Sequence, residues 1–375
     1  MRKYLLMFLA TGLLLIACKK DDDTIEPVKI TDDVAVQDFM WKAMNLWYFW
    51  QADVPNLADT KFPNTTEGNK AYNDFLASEA DPGLFFDNDL LFTEDRFSFY
   101  AEDYKELTQA LSGVSKSNGL EYGLVRFSDS DDIFGYVRYI VPNSDAATKD
   151  ITRGDLFLTI DGIQLYYKSA TDNNLELFDQ DTYTLGMAEI ADNSVTPSDK
   201  EVILTKSPNL AENPVFLSKS FDISGTKIGY LVYNGFTNEY DEDLNDAFGA
   251  LKAAGVTELV LDLRYNPGGS VNSARLLSSM IYGTNTQNVF LKARYNEKYQ
   301  KYLEENNVET RDFFASTTGN TNNGTPINTL NLSKVYVLAT NSSASASELV
   351  MNALDPYMEV IHIGETTRGK NEFSV

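Results

Sequence analysis

Val335-Tyr336-Val337-Leu338-Ala339 runs directly into Thr340-Asn341-Ser342-Ser343-Ala344-Ser345-Ala346-Ser347-Glu348. The first five residues are apolar and read as a buried strand. The nine that follow are small or polar. Leu349, Val350, Met351, Ala353 and Leu354 then give a short apolar helix, stopped near Pro356. A second strand, Glu359-Val360-Ile361-His362-Ile363, leads into a glycine-bounded turn that carries Lys370. A serine therefore sits where a strand turns into a helix, and a lysine sits on the next turn.

That placement suits a nucleophile. A serine at a sharp strand-to-helix turn projects its hydroxyl, and the helix behind it offers unpaired N–H groups. Those donors and the positive end of the helix dipole can hold an oxyanion. Lysine can act as the base only when neutral, which requires an apolar site that lowers its pKa from about 10.4 towards roughly 7–8. On residue types alone the plainer account is stronger: a Ser/Ala-rich loop and a surface lysine, since most lysines are exposed.

Ser343 to Glu348, followed by Gly364-Glu365 and Gly369-Lys370, resembles the active-site signature of the C-terminal processing (tail-specific) peptidases. The resemblance implies Ser345 as nucleophile, three residues before the glutamate, and Lys370 as general base. Many members carry a glutamine four residues beyond the lysine, which orients its amine. Here that position is Ser374, and Gly369-Lys370-Asn371 resembles a variant found in other members. Phe373-Ser374-Val375 reads as the opening of a strand that a family member would continue, so the C-terminus is expected to be truncated.

A second stretch supports the first. Ile228 to Tyr233 reads as a strand, Asp241 to Ala254 as an amphipathic helix stopped by Gly255, and Glu258 to Arg264 as the next strand. Strand–helix–strand at this spacing implies a right-handed parallel crossover. Asp262-Leu263-Arg264-Tyr265-Asn266-Pro267-Gly268-Gly269 ends that strand in a turn, and a helix follows from about Val271 to Ile281. The turn resembles the Asp-Leu-Arg-x-Asn-x-Gly-Gly box of the same peptidases. By that resemblance the backbone N–H groups of Gly268, Gly269 and Ala346 form the oxyanion hole. The fold class implied is α/β, with a crotonase-like (ββα superhelix) peptidase core over 207–375.

Residues 104–206 change to short strands. Gly135 to Val141 alternates, Pro142-Asn143-Ser144 turns, Asp145-Ala146-Ala147 starts a short helix, and Arg153-Gly154-Asp155 and Ile160-Asp161-Gly162 follow. This order resembles a PDZ domain, which takes a peptide terminus as an added strand. Tyr122, Gly123 and Leu124 fall where the carboxylate-binding loop of that family lies. Residues 31–103 read as a helical N-terminal domain. Within it Val36, Phe39, Met40, Met44 and Trp47 share a helical spacing, and Ala71, Tyr72, Phe75 and Leu76 share another. The polar run from Tyr295 to Ser333 reads as a lid over the cleft or a surface insertion.

The N-terminus addresses the protein. Arg2 and Lys3 precede an apolar run to Ala17, too short to span a bilayer, so 1–17 is a signal peptide. Leu15-Ile16-Ala17-Cys18 resembles a bacterial lipobox, which implies lipidation of Cys18. Residues 18–30 form an acidic tether, and its Asp run resembles the export signal of Bacteroidota lipoproteins. The expected location is the cell envelope, as an outer-membrane lipoprotein facing either side.

The chain has 375 residues, 43% hydrophobic, and a formal charge of −24. Such a surface repels phosphate backbones, which argues against nucleic acid as partner. Cys18 is the only cysteine and His362 the only histidine, so neither a disulfide nor a metal-ligand box is expected. No cofactor is expected either. His362, inside an apolar strand, reads as a packed core residue. The function expected is a serine endopeptidase that cuts unstructured or C-terminal tails. The alternative is a catalytically inert, PDZ-containing peptide-binding lipoprotein.

Overall fold

The computed structural model describes residues 30–192, 194–319 and 324–373. The signal segment, Cys18, nearly all of the tether and Ser374 lie outside them. The chain forms two units. One takes Met1–Arg96 with Tyr295–Asn307, and the other takes Phe97–Arg294 with Val308–Val375.

The first unit is helical. Helix α1 spans Ala35–Trp47 and α2 spans Thr66–Leu76. Thr65 caps α2, its hydroxyl accepting from the Gly68 N–H at 3.0 Å. Leu57, Leu76, Phe85 and Leu90 are fully buried. The side of α1 that faces this core differs from the one expected. Met40, Trp41 and Met44 pack inward, whereas Val36, Phe39 and Trp47 are exposed. Two polar anchors set the rotation. Gln37 is buried and donates to the Glu79 carbonyl at 3.1 Å, and Trp41 Nε1 donates to the Asn56 carbonyl at 2.8 Å. Part of the polar run belongs here too. Asn296 Nδ2 donates to the Leu46 and Tyr48 carbonyls at 2.9 Å each, and the helix Glu297–Glu305 follows it.

The second unit holds two sheets. Strands β1 (Leu120–Arg126), β2 (Ile133–Ile140), β3 (Leu156–Ile160), β4 (Thr182–Ala191) and β5 (Ser194–Thr205) form an antiparallel sheet in that order. Phe157, Ile160, Leu165, Leu185 and Leu204 are its fully buried centre. Asp161 and Gly162, both at positive φ, make the two-residue turn after β3. Tyr122, Gly123 and Leu124 are corrected by this sheet. They lie inside β1, paired with Val137, Tyr136 and Gly135, and not in a loop. The Tyr122 ring stacks on Phe178 with centroids 4.5 Å apart.

Glu121, beside Tyr122, is opposite Tyr139, whose hydroxyl donates to Glu212 Oε1 at 2.9 Å. Burial, then the Glu212 carboxylate, pushes the Glu121 carboxyl up to about 7 against the pull of Arg138. A carboxyl raised on folding binds more protons in the native state, so its stabilising effect is complete below about 4.5 and is lost as pH rises through about 7. Glu121→Gln is therefore expected to be more stable than the parent at pH 8, by about 3 kcal/mol, and nearly equal at pH 4.5. Urea midpoints measured across that range check it, and a pH-independent difference refutes it.

The other sheet carries strands β6 (Val215–Ile223), β7 (Thr226–Tyr233), β8 (Glu258–Asp262), β9 (Lys334–Ala339) and β10 (Glu359–Gly364), again in that order. β6 and β7 are an antiparallel hairpin, and every later pair is parallel. Helix α3 (Asp241–Ala253) crosses from β7 to β8, α4 (Val271–Tyr282) follows β8, and α5 (Ala346–Leu354) crosses from β9 to β10. Val335 and Val337 of β9, Phe248 of α3, Leu277 of α4 and Val350 of α5 share one core with no exposure at all. The apolar run of β9 is buried on this face only, since Tyr336 and Leu338 are half-buried. β10 ends the sheet, and His362 is exposed, not packed. An edge strand has one neighbour fewer, and nothing among the described residues covers that side chain.

Candidate active site

The parallel order sets the C-terminal ends of β8 and β9 side by side, and both boxes begin there. Asp262 closes β8 with its carboxylate buried. It accepts from Arg264 Nε at 2.9 Å and Nη2 at 2.6 Å, and from the Tyr230 hydroxyl at 2.7 Å. Burial pushes this carboxyl up, but the Arg264 and Tyr230 hydrogen bonds outweigh it and hold it below the usual carboxylate range. The strand end is thereby fixed, and the turn that follows has a defined exit.

Asn266 is fully buried and every polar atom of its side chain is used. Nδ2 donates to the Tyr233 carbonyl at 2.9 Å, and Oδ1 accepts the Gly268 N–H at 2.9 Å. Its backbone carbonyl accepts from Ser347 Oγ at 2.9 Å and from the Ala344 N–H at 3.2 Å. This one residue thus ties β7 and the glycine turn through its side chain, and the serine turn through its backbone carbonyl. It also corrects one expectation: the Gly268 N–H already has an acceptor. The N–H groups of Gly269 and Ala346 have none among the described residues.

Gly268 lies against the serine turn. A Cβ there would stand 2.8 Å from the Ala344 carbonyl oxygen, 2.8 Å from Ser345 Cβ and 3.1 Å from the Ala346 nitrogen, at φ +105°. Gly268→Ala is expected to cost about 2–3 kcal/mol through both strain and contact. A thermal midpoint unchanged within 2 °C (about 0.5–1 kcal/mol for a chain this size) would refute it.

The serines divide by environment. Ser343 and Ser347 are fully buried, and their hydroxyls donate to the Leu263 carbonyl at 2.7 Å and the Asn266 carbonyl at 2.9 Å. Ser345 is half-buried and precedes α5 at φ 53°, ψ −111°. An L-residue held at such angles stores about 1–3 kcal/mol of strain. Its neighbours hold it there: Thr340 Oγ1 donates to the Arg264 carbonyl at 2.6 Å, and Arg368 N–H donates to the Ser343 carbonyl at 3.0 Å.

Glu348 was not singled out by the sequence reading, and it is the centre of the site. Its Oε2 accepts the Ser345 N–H at 2.8 Å and the Lys370 N–H at 2.9 Å. Its Oε1 accepts the Gly369 N–H at 2.6 Å and the Thr367 hydroxyl at 2.7 Å. Burial pushes this carboxyl up, but Thr367 and the backbone donors outweigh it and leave it below its ordinary value. Its spacing from Ser345 is that of a capping box, which was the available signal. Lys370 is half-buried, with Nζ over the Phe97 ring, 5.3 Å from the centroid. The backbones at 345 and 370 therefore meet on one carboxylate, while hydroxyl and amine share no hydrogen bond among the described residues.

Comparison with known proteins bears on this geometry. Residues 227–375 match the model of peptidase family S41, and residues 35–99 match the peptidase S41 N-terminal domain. A carboxyl-terminal-processing protease of Picosynechococcus is 27% identical over 290 residues, covering 72% of this chain and 58% of that protein. The chloroplastic carboxyl-terminal-processing peptidase 1 of Arabidopsis thaliana is 24% identical over 362 residues, covering 93% and 65%. The chain thus spans about three fifths of the length of these curated relatives. A Bacteroides fragilis protein described as a candidate S41 protease has a similar crystal structure, with TM-score 0.61 and 27% identity over 92% of this chain and 80% of that one.

Proposed function

Because the chain belongs to peptidase family S41, we propose that it is a serine endopeptidase working through Ser345 and Lys370. The observation that carries this reading is the Glu348 carboxylate, one oxygen of which accepts both the Ser345 and the Lys370 N–H. A carboxylate so used fixes two turns that are 25 residues apart in sequence. It uses neither the serine hydroxyl nor the lysine amine.

Ser345 Oγ attacks the carbonyl carbon of a peptide bond as the Lys370 amine takes its proton. The lysine returns that proton to the departing amine, and water then hydrolyses the acyl-enzyme by the same path reversed. The Ala346 N–H and the Gly269 N–H supply donors for the oxyanion, and Gly268 supplies the close approach. The amine reaches the hydroxyl by rotating off the Phe97 ring. Catalytic hydrogen bonds are often unmade without substrate.

The β1–β5 sheet acts as a PDZ-like module. β1 is an edge strand, so an extended tail can add beside it and be held near Ser345 at raised local concentration. Cys18 anchors the protein to lipid in the cell envelope. The test is incubation of the purified protein with an unstructured polypeptide, read by mass spectrometry. New peptide termini support the reading. Tight tail binding with no cleavage supports an inert peptide-binding lipoprotein instead, a reading favoured by the lack of a hydrogen bond between hydroxyl and amine among the described residues.

A further inference from the structure

Tyr265 follows Arg264 on the turn that leads to Asn266, and its ring is surrounded by cations. The guanidinium carbons of Arg138, Arg153 and Arg264 lie 5.5, 5.2 and 5.8 Å from its centroid. On the module side the ring stacks on Tyr139, centroids 5.9 Å apart. Three like charges around one ring repel, so each needs an acceptor or a counter-charge. Arg264 has Asp262. Arg153 donates to the Arg138 carbonyl and, at 2.7 Å, to the Tyr265 hydroxyl, with no carboxylate among the described residues.

Arg138 has neither. Its guanidinium donates no hydrogen bond among the described residues, and its Nε is buried without a partner. Glu212 accepts from Tyr139, burial pushes both Glu121 and Glu212 up, and neither forms an ion pair with Arg138. In a chain of charge −24, an arginine whose buried Nε lacks a partner and whose guanidinium has no ion pair among the described residues offers a site for an anion.

The module's other candidate cradle is already occupied. Ahead of β1, the Gly119 N–H donates to Ser117 Oγ at 3.0 Å and the Leu120 N–H donates to Asn118 Oδ1 at 3.1 Å. A peptide carboxylate finds no free backbone donor at those two positions, and finds planar forks at Arg138 and Arg153.

We propose that Arg138 and Arg153, seated on Tyr265, bind a carboxylate of the peptide substrate, so that this protein selects acidic tails. The inference rests on the peptidase reading for what the peptide is, but its test does not. Charge-assisted fork hydrogen bonds hold the carboxylate, and Tyr265 sets it one residue from the Asn266 that fixes the serine turn.

The experiment uses the full chain as Ser345→Ala and labelled peptides of one neutral sequence. One version carries a free C-terminus with two aspartates, one has those aspartates changed to asparagine, and one is C-terminally amidated. The acidic peptide is expected to bind at least about tenfold tighter than the neutral ones, with a difference that shrinks as salt rises. Loss on the asparagine change assigns a side-chain carboxylate, whereas loss on amidation with none on the asparagine change overturns the selection of acidic tails. Arg138→Gln with Arg153→Gln should erase the preference while binding of the neutral amidated peptide persists. Arg153→Gln alone, at an exposed position, should weaken it if the double variant does not fold. Equal affinity for all peptides, or a preference that survives both substitutions, overturns the inference. Selective binding by a chain whose Ser345 parent cleaves nothing would sink the peptidase reading and leave this one standing.

Discussion

Ser345→Ala is expected to abolish cleavage, with kcat lowered on the order of 10⁴-fold or more. No neighbouring hydroxyl can take over. Ser343 and Ser347 are fully buried and donate to backbone carbonyls that hold the turn, so neither can turn towards substrate without breaking it. The fold should be untouched, because the Ser345 N–H, not its side chain, makes the 2.8 Å bond to Glu348. A second substitution separates chemistry from structure. At φ 53°, ψ −111° the residue has the backbone of the first corner of a type II′ turn, where glycine is at ease. Ser345→Gly should therefore be as inactive as Ser345→Ala yet more stable than the parent, by about 1 kcal/mol. Thermal midpoints and turnover of a tail substrate, measured on the three proteins together, decide it. Undiminished turnover by either variant ends the assignment of Ser345.

What the sequence disclosed was local, and what it concealed depended on neighbours far along the chain. The run Val335 to Ala339 and the small residues after it announce a strand, a turn and a helix, and the structure has all three. The periodicity of Asp241 to Ala254 likewise gives α3 to within a residue. His362 is exposed although its strand is apolar, because an apolar strand reads the same at the centre of a sheet and at its edge, and only pairing order distinguishes them. Tyr122 to Leu124 falls at a family's loop by resemblance alone, and the strand pairing that places it inside β1 is set by residues farther along the chain. The resemblance to the peptidase box implies Gly268 as a donor. Whether its N–H is free depends on Asn266 two residues back, whose side chain could equally have faced solvent. The docking of Asn296 on Leu46 and Tyr48, some 250 residues away, left no trace in either segment.

The second large effect concerns Glu348, and here the conservative change is the informative one. Both oxygens of this carboxylate face only donors: the N–H groups of Ser345 and Lys370 on one, and the Gly369 N–H and Thr367 hydroxyl on the other. Glu348→Gln keeps the shape but turns one of those acceptors into an NH₂, which must then point at two donors. Replacing an acceptor by a donor in a satisfied cluster strands both partners, so the amide should be nearly as damaging as Glu348→Ala. Each is expected to lower kcat by about 10²- to 10³-fold with Ser345 and Lys370 intact, since a displacement near 1 Å costs that much. Each should also lower stability by about 2 kcal/mol. The pH dependence has a definite sign. A carboxyl held below its ordinary value on folding contributes stability that is whole above its unfolded pKa of about 4.5 and is lost as pH falls through the lower, folded one. The gap in stability between the parent and Glu348→Gln should therefore be wide at pH 7 and close as the solution is acidified below about 4.5. If Glu348→Gln instead matched the parent in turnover and in its acid limb, the carboxylate would not be what holds the two turns together. The pairing of Ser345 with Lys370 would then need another anchor.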